Sequence, residues 1–160
     1  RLSLVGSEMC IRDRVGSQSY VGNFASDGNR FVYAMNDFGY LACYEEENGE
    51  IKQKWTHYME KPLFDGYGSL DRKRLLDGFT DVTIHGDKVY AVYNGKSDSE
   101  KKDMDGERYP TLILAFDIHT GALCEKYRTD RDICNFVIDP DGTIYGVGVN
   151  PEVEVVKYKL

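Results

Sequence analysis

Phe79-Thr80-Asp81-Val82-Thr83-Ile84 is followed, after His85-Gly86-Asp87, by Lys88-Val89-Tyr90-Ala91-Val92-Tyr93. Thr111-Leu112-Ile113-Leu114-Ala115-Phe116-Asp117 and Leu123-Cys124-Glu125-Lys126-Tyr127-Arg128 come next, joined by Ile118-His119-Thr120-Gly121. The first three runs are rich in the β-branched and aromatic residues that suit a pleated, half-buried surface. Each short joint carries the glycine that a tight reversal between antiparallel strands requires. The stretch therefore reads as one four-stranded antiparallel meander.

Outward from it the same unit recurs. Tyr20 to Ala25, Arg30 to Asn36, Gly39 to Glu45 and Ile51 to His57 are predicted strands, with turns at 26–29 and 47–49. Downstream, Cys134 to Ile138, Thr143 to Val149 and Val153 to Leu160 supply three strands and no fourth. Tyr33-Ala34 returns as Tyr90-Ala91 and as Tyr145-Gly146, at steps of 57 (33 to 90) and 55 (90 to 145). Tyr44 precedes Gly49 by the same five positions that separate Phe116 from Gly121. Self-similarity at such a period marks a repeat architecture, and apolar residues on both faces of a strand mark a sheet covered on both sides. Radially packed propeller blades meet both conditions. The predicted fold is an all-β partial propeller, with blades at about 18–58, 79–130 and 132–160 and the last lacking its outer strand.

Composition agrees. Hydrophobic residues make up 41% and aromatic residues 12% of the 160, enough for a packed core. The formal charge of -7 argues against a nucleic-acid partner, which needs clustered Lys and Arg. No apolar run reaches the 18 or so residues of a membrane span. The four cysteines, Cys10, Cys43, Cys124 and Cys134, show no C-x-x-C spacing and are expected as buried free thiols.

The run Gly86 to Lys96, then Ala115-Phe116-Asp117 with His119-Thr120-Gly121, and the ending Asn150-Pro151-Glu152-Val153-Glu154-Val155-Val156-Lys157-Tyr158-Lys159-Leu160 resemble the TolB-like six-bladed propeller proteins of Bacteroides-type bacteria. The resemblance covers about residues 20–160 and implies the C-terminal half of such a protein. It further implies an exported or lipid-anchored protein of the bacterial periplasm or outer envelope, and it brings no catalytic residues with it. Residues 1–14 resemble a translated sequencing-adapter read-through and are expected to be a non-native segment without buried contacts. On this reading the chain is a piece of a ring, and residues 15–160 alone are expected to leave two faces and one edge raw.

Two connections, 58–78 and 94–110, far exceed the two to six residues usual in compact domains. Loops between second and third strands emerge on the same rim as crossings between blades, so both are expected on one side. The first carries Lys61, Asp65, Tyr67, Arg72, Lys73 and Arg74, and the second Lys96, Lys101, Lys102, Arg108 and Tyr109. Cations gathered on one rim of an acidic chain suit a small anionic ligand, a glycan or an acidic protein surface. The candidate binding residues are Asp65, Tyr67, Arg72, Lys73, Arg74, Lys96, Arg108 and Tyr109. The competing reading is that charged loops are simply solvated.

No catalytic, metal or cofactor site is predicted. His57, His85 and His119 stand singly, two of them in turns, outside any metal-binding spacing. Asp103-Met104-Asp105-Gly106-Glu107 resembles the start of a calcium loop without its distal Glu, and Asp139-Pro140-Asp141-Gly142 reads as a hairpin turn. The expected function is a non-enzymatic binding or interaction module. The alternative is a metal-assisted, lactonase-like hydrolase or a sugar lyase working at the propeller channel.

Overall fold

The chain's computed structural model describes residues 21–68, 70–71, 73–103 and 109–160, and the side chains of 101–103 are left aside. The adapter-like segment 1–14, Arg72, Arg108 and most of the calcium-like run 103–107 therefore lie outside the described residues.

Three antiparallel sheets follow one another along the chain. β1 (Gly22–Ser26), β2 (Arg30–Met35), β3 (Tyr40–Glu47) and β4 (Glu50–Tyr58) form the first, in that order. β5 (Phe79–His85), β6 (Lys88–Tyr93), β7 (Leu112–Asp117) and β8 (Leu123–Arg128) form the second. β9 (Asn135–Ile138), β10 (Thr143–Gly148) and β11 (Glu154–Lys159) form the third, with β10 in the middle. β1 lies against β5 and β5 against β9, so the first strands share the inner side. This is a partial β-propeller of two complete blades and one three-stranded blade.

The sheets stack face on face. Calling the face toward the next sheet forward and the other backward, the first sheet's forward residues Val32, Ala34, Leu41, Cys43 and Trp55 pack on Val82, Val89, Ala91, Leu114 and Phe116 of the second. The second sheet's forward residues Tyr90, Val92, Ile113 and Ala115 pack on Phe136 and Ile144 of the third. Adjacent residues of β6 thus serve opposite junctions, which is why the whole run Val89–Tyr93 is apolar and buried.

The same parity corrects the repeat. Tyr33 faces backward, with Met35 and Tyr40, whereas Tyr90 faces forward into the third sheet. Tyr44 and Phe116 both face backward, but Tyr44 pairs with Phe31, two residues before Tyr33, whereas Phe116 pairs with Val89, one residue before Tyr90. Val32, not Tyr33, therefore occupies the place of Tyr90 and Tyr145. A one-residue slip exchanges the two faces of a strand, so the tyrosine of the first repeat is a coincidence of sequence.

Other expectations change as well. β1 is described from Gly22, and the predicted start at Tyr20 lies outside the described residues. His85 ends strand β5 instead of sitting in a turn. The connection after Tyr93 holds a helix, α1 (Asp98–Asp103), started by a capping box: Ser97 Oγ accepts from the Glu100 N–H at 3.3 Å and Glu100 Oε2 accepts from the Ser97 N–H at 2.7 Å. Of the thiols, Cys43 is buried, Cys134 half-buried and Cys124 exposed, because Cys124 lies on the solvent side of outer strand β8. The backward face of the first sheet is not raw throughout. Leu70 and Leu75 from the first long connection bury against Met35, Phe38, Tyr40 and Ala42, with Leu63 beside them.

Candidate functional site

The upper rim carries the β2–β3 turn, the β6–β7 and β10–β11 connections and the crossings between sheets. The two long connections meet there through backbone. Gly78 N–H donates to Asn36 O at 2.7 Å, Asn94 N–H to Gly78 O at 2.9 Å, Gly95 N–H to Asp77 O at 2.9 Å and Asp77 N–H to Lys96 O at 3.0 Å. Only glycine fits this knot, since a Cβ at Gly78 would stand 2.2 Å from Phe38 O and 2.3 Å from Met35 O. Three segments that are distant in sequence are thereby fixed together.

Around the knot, Lys96 Nζ reaches the Tyr109 carbonyl at 3.5 Å, which joins two of the predicted residues directly. Asp65 shapes a tight turn, its carboxylate accepting from Tyr67 N–H at 2.8 Å and its carbonyl from Gly68 N–H at 3.1 Å. That turn holds Tyr67 out, 97% exposed, and Tyr109 is 43% exposed. Lys73 is exposed, and Arg74 pairs within its own loop, 4.0 Å from Asp71. The rim is thus two lobes, one with Asp65, Tyr67, Lys73 and Arg74 and one with Lys96 and Tyr109.

Carboxylates lie close to the knot. Glu60 accepts from Leu76 N–H at 2.8 Å and Asp77 from Asn94 Nδ2 at 3.2 Å. Burial, together with the charges of Glu60 and Asp77, pushes the Tyr93 phenol up to about 12. Among the described residues, no three His, Cys, Asp or Glu side chains gather where one ion could bind.

A cleft on the lower rim was not among the sites expected from the sequence. A cavity of about 320 Å³ opens between the first two sheets, lined by Asn29, Arg30, Cys43, Glu45, Lys54, Ile118 and His119. Its charges are already engaged: Arg30 holds Asp27 through Nε at 3.0 Å and Nη2 at 2.9 Å, and its Nη1 lies 3.4 Å from His119 Nδ1. Lys54 pairs with Glu45 at 3.3 Å and Glu47 at 2.7 Å. Burial raises the Cys43 thiol, which keeps it protonated and a poor nucleophile. The cleft works as an inter-sheet clasp. The signal that could have exposed it was parity, which puts Cys43 and Glu45 on the face that meets the 118–119 turn.

No family model matches the sequence, and no curated protein matches it. Solved structures do. BamB from Moraxella catarrhalis aligns over 92% of this chain and 37% of its own, at 15% identity and a TM-score of 0.43. Glutaminyl cyclase from Myxococcus xanthus aligns over 86% and 47%, at 14% identity and a TM-score of 0.49. A functionally unknown protein from Desulfotomaculum acetoxidans aligns over 90% and 42%, at 12% identity and a TM-score of 0.50. The chain spans less than half the length of each. Likeness at this level speaks to fold. No helix among the described residues is long and apolar enough to cross a membrane.

Proposed function

We propose that the chain is a binding module whose upper rim receives an anionic glycan. The observation that carries this reading is Tyr67, held almost wholly in solvent by the Asp65 turn. A tyrosine ring held in solvent by a built turn has the amphipathic character enriched at interfaces, and its flat face suits a sugar ring. Tyr109 offers a second ring. Lys73, Arg74 and Lys96, with Arg72 and Arg108 of the sequence, supply the cations that a uronate carboxylate would meet. The knot at Gly78 supports the reading because it fixes both lobes to rigid strands, so less order is lost on binding. Placement in the bacterial periplasm or outer envelope, with a lipid anchor in a longer chain, belongs to the same proposal and rests on the family resemblance.

The test is calorimetric titration with polygalacturonate, against a neutral galactan and polyglutamate as comparison arms. Binding of the acidic glycan is expected, with a loss of at least about tenfold in Lys73→Glu/Arg74→Glu and in Tyr67→Ala, each removing roughly 1.4 kcal/mol or more. Unchanged affinity in both variants would place the site elsewhere, and preference for polyglutamate would make the partner a protein.

A further inference from the structure

We infer that the Ile118–Gly121 turn is a pH-dependent clasp between the first two sheets: neutral His119 holds Arg30 across the junction, and protonated His119 turns to Asp87 within its own sheet. The inference rests on the lower-rim cleft and is independent of the upper-rim site.

Three side chains of the first sheet hold this one turn. Trp55 Nε1 donates to Ile118 O at 2.7 Å, His57 Nδ1 lies 2.9 Å from Gly121 O, and Arg30 Nη1 lies 3.4 Å from His119 Nδ1. The partners fix the proton on each ring. A carbonyl oxygen only accepts, so His57 Nδ1 carries hydrogen and donates. A guanidinium only donates, so His119 Nδ1 is the acceptor and its hydrogen sits on Nε2. The two histidines therefore answer acid differently. Protonated His57 still donates from Nδ1, whereas protonated His119 has no lone pair left for Arg30 and sets a second cation beside it.

The surrounding charges decide where the protonated ring goes. From the first sheet, His119 shares the cleft with Arg30, Lys54 and Glu45, and these are already paired, Arg30 with Asp27 and Lys54 with Glu45 and Glu47. The Cys43 thiol in the same cleft is kept neutral by burial. From the second sheet, Asp117 spends one carboxylate oxygen on the His119 and Thr120 backbone N–H groups and the Thr120 hydroxyl. Asp87 stands closest to the other ring nitrogen, its Oδ1 3.8 Å from His119 Nε2. Ile118 N–H already donates to Asp87 O at 3.0 Å. Ring and carboxylate thus sit on neighbouring turns of one sheet, and the exchange needs only side-chain rotation. The His119 side chain is 63% exposed, so solvent protons reach it.

The experiment is a titration of the full chain from about pH 8 to 5, the span over which imidazoles take up a proton. It is read by the emission of Trp55, the one tryptophan of the sequence, and by the ring-nitrogen resonances of the three histidines. At the alkaline end His119 is expected as the Nε2–H tautomer and His57 as the Nδ1–H tautomer. As His119 takes up its proton, Trp55 emission is expected to move to longer wavelength, because the clasp loosens beside Ile118. His119→Asn keeps an acceptor for Arg30 that does not titrate and should abolish this step, while His57→Gln should retain it. No step in the wild type, a step that survives in His119→Asn, a step lost in His57→Gln, or His119 with its hydrogen on Nδ1 would each overturn the inference. If His119→Asn loses its cooperative thermal transition, Asp87→Asn takes its place. Without the carboxylate that receives the charged ring the step should move to lower pH, and an unmoved step would overturn the exchange.

Discussion

The second and third sheets present similar strands in different settings. In β6, between two neighbours, Val89 through Tyr93 are all buried. In β10, the matching strand of a sheet with one neighbour, Tyr145 and Val147 on the uncovered face are half-buried while Ile144, Gly146 and Gly148 around them are buried, and beside them Val155 of β11 lies in solvent while adjacent Val156 packs on the second sheet. The residue types hardly differ. What decides burial is how many faces the sheet has covered, which is the physical content of a stacked repeat.

Mutations can break this contrast. Phe116 is fully buried at the first junction, 4.9 Å from the His57 ring and 6.2 Å from that of Phe79. Phe116→Ala is expected to cost about 3–5 kcal/mol in urea unfolding, against within about 0.5 kcal/mol for Val155→Ala in the monomer. Equal costs would mean that the outer face is covered in solution.

A smaller effect sharpens the first junction. Gly121 has φ +71° and would place a Cβ 2.5 Å from Trp55 Cε3, under the indole whose Nε1 donates to Ile118 O at 2.7 Å. Gly121→Ala is expected to cost at least about 1–2 kcal/mol from the left-handed backbone alone, with a change in tryptophan fluorescence. Asp81→Ala acts on the second junction by leaving the Phe136 N–H without its acceptor, at about 1–3 kcal/mol. Hydrogen exchange at Phe136 should quicken while the first junction keeps its protection.

The smallest expected effect is a pH dependence in the third sheet. Hydrogen bonds from Thr143, with Lys159 nearby, depress the Asp141 carboxyl from 3.8 to about 2. Its folded value lies below the unfolded one, so its contribution is present above about pH 4 and is lost as pH falls toward 2. The difference in thermal midpoint between wild type and Asp141→Asn should close over that window. A gap that persists at the acid end would mean that another group dominates.

Strands and hairpins were legible in the sequence because alternation and turn glycines are local. The knot at Gly78 and the leucine cap were not, since Leu63, Leu70 and Leu75 look like loop residues until the sheet they cover is in place. The helix α1 was missed because six polar residues show no apolar period, although Ser97 and Glu100 carry the cap signal. The Tyr33 match misled because a repeat aligned by residue type ignores which face each residue serves. Of the predicted site, Lys96 and Tyr109 come together, while Lys73 and Arg74 belong to the other lobe.

The forward reach of the inner strands also sets an order of assembly. Asn23 finds its acceptor, Thr80, 57 residues later, and Asp81 finds Phe136 55 residues later. On a ribosome adding about 5–20 residues per second, each blade waits roughly 3–11 s for the strand that fastens it. The chain should therefore lock in discrete steps from its beginning, each new blade closing the one before. Nascent chains arrested just before and just after β5 emerges would differ sharply in resistance to protease at the first blade.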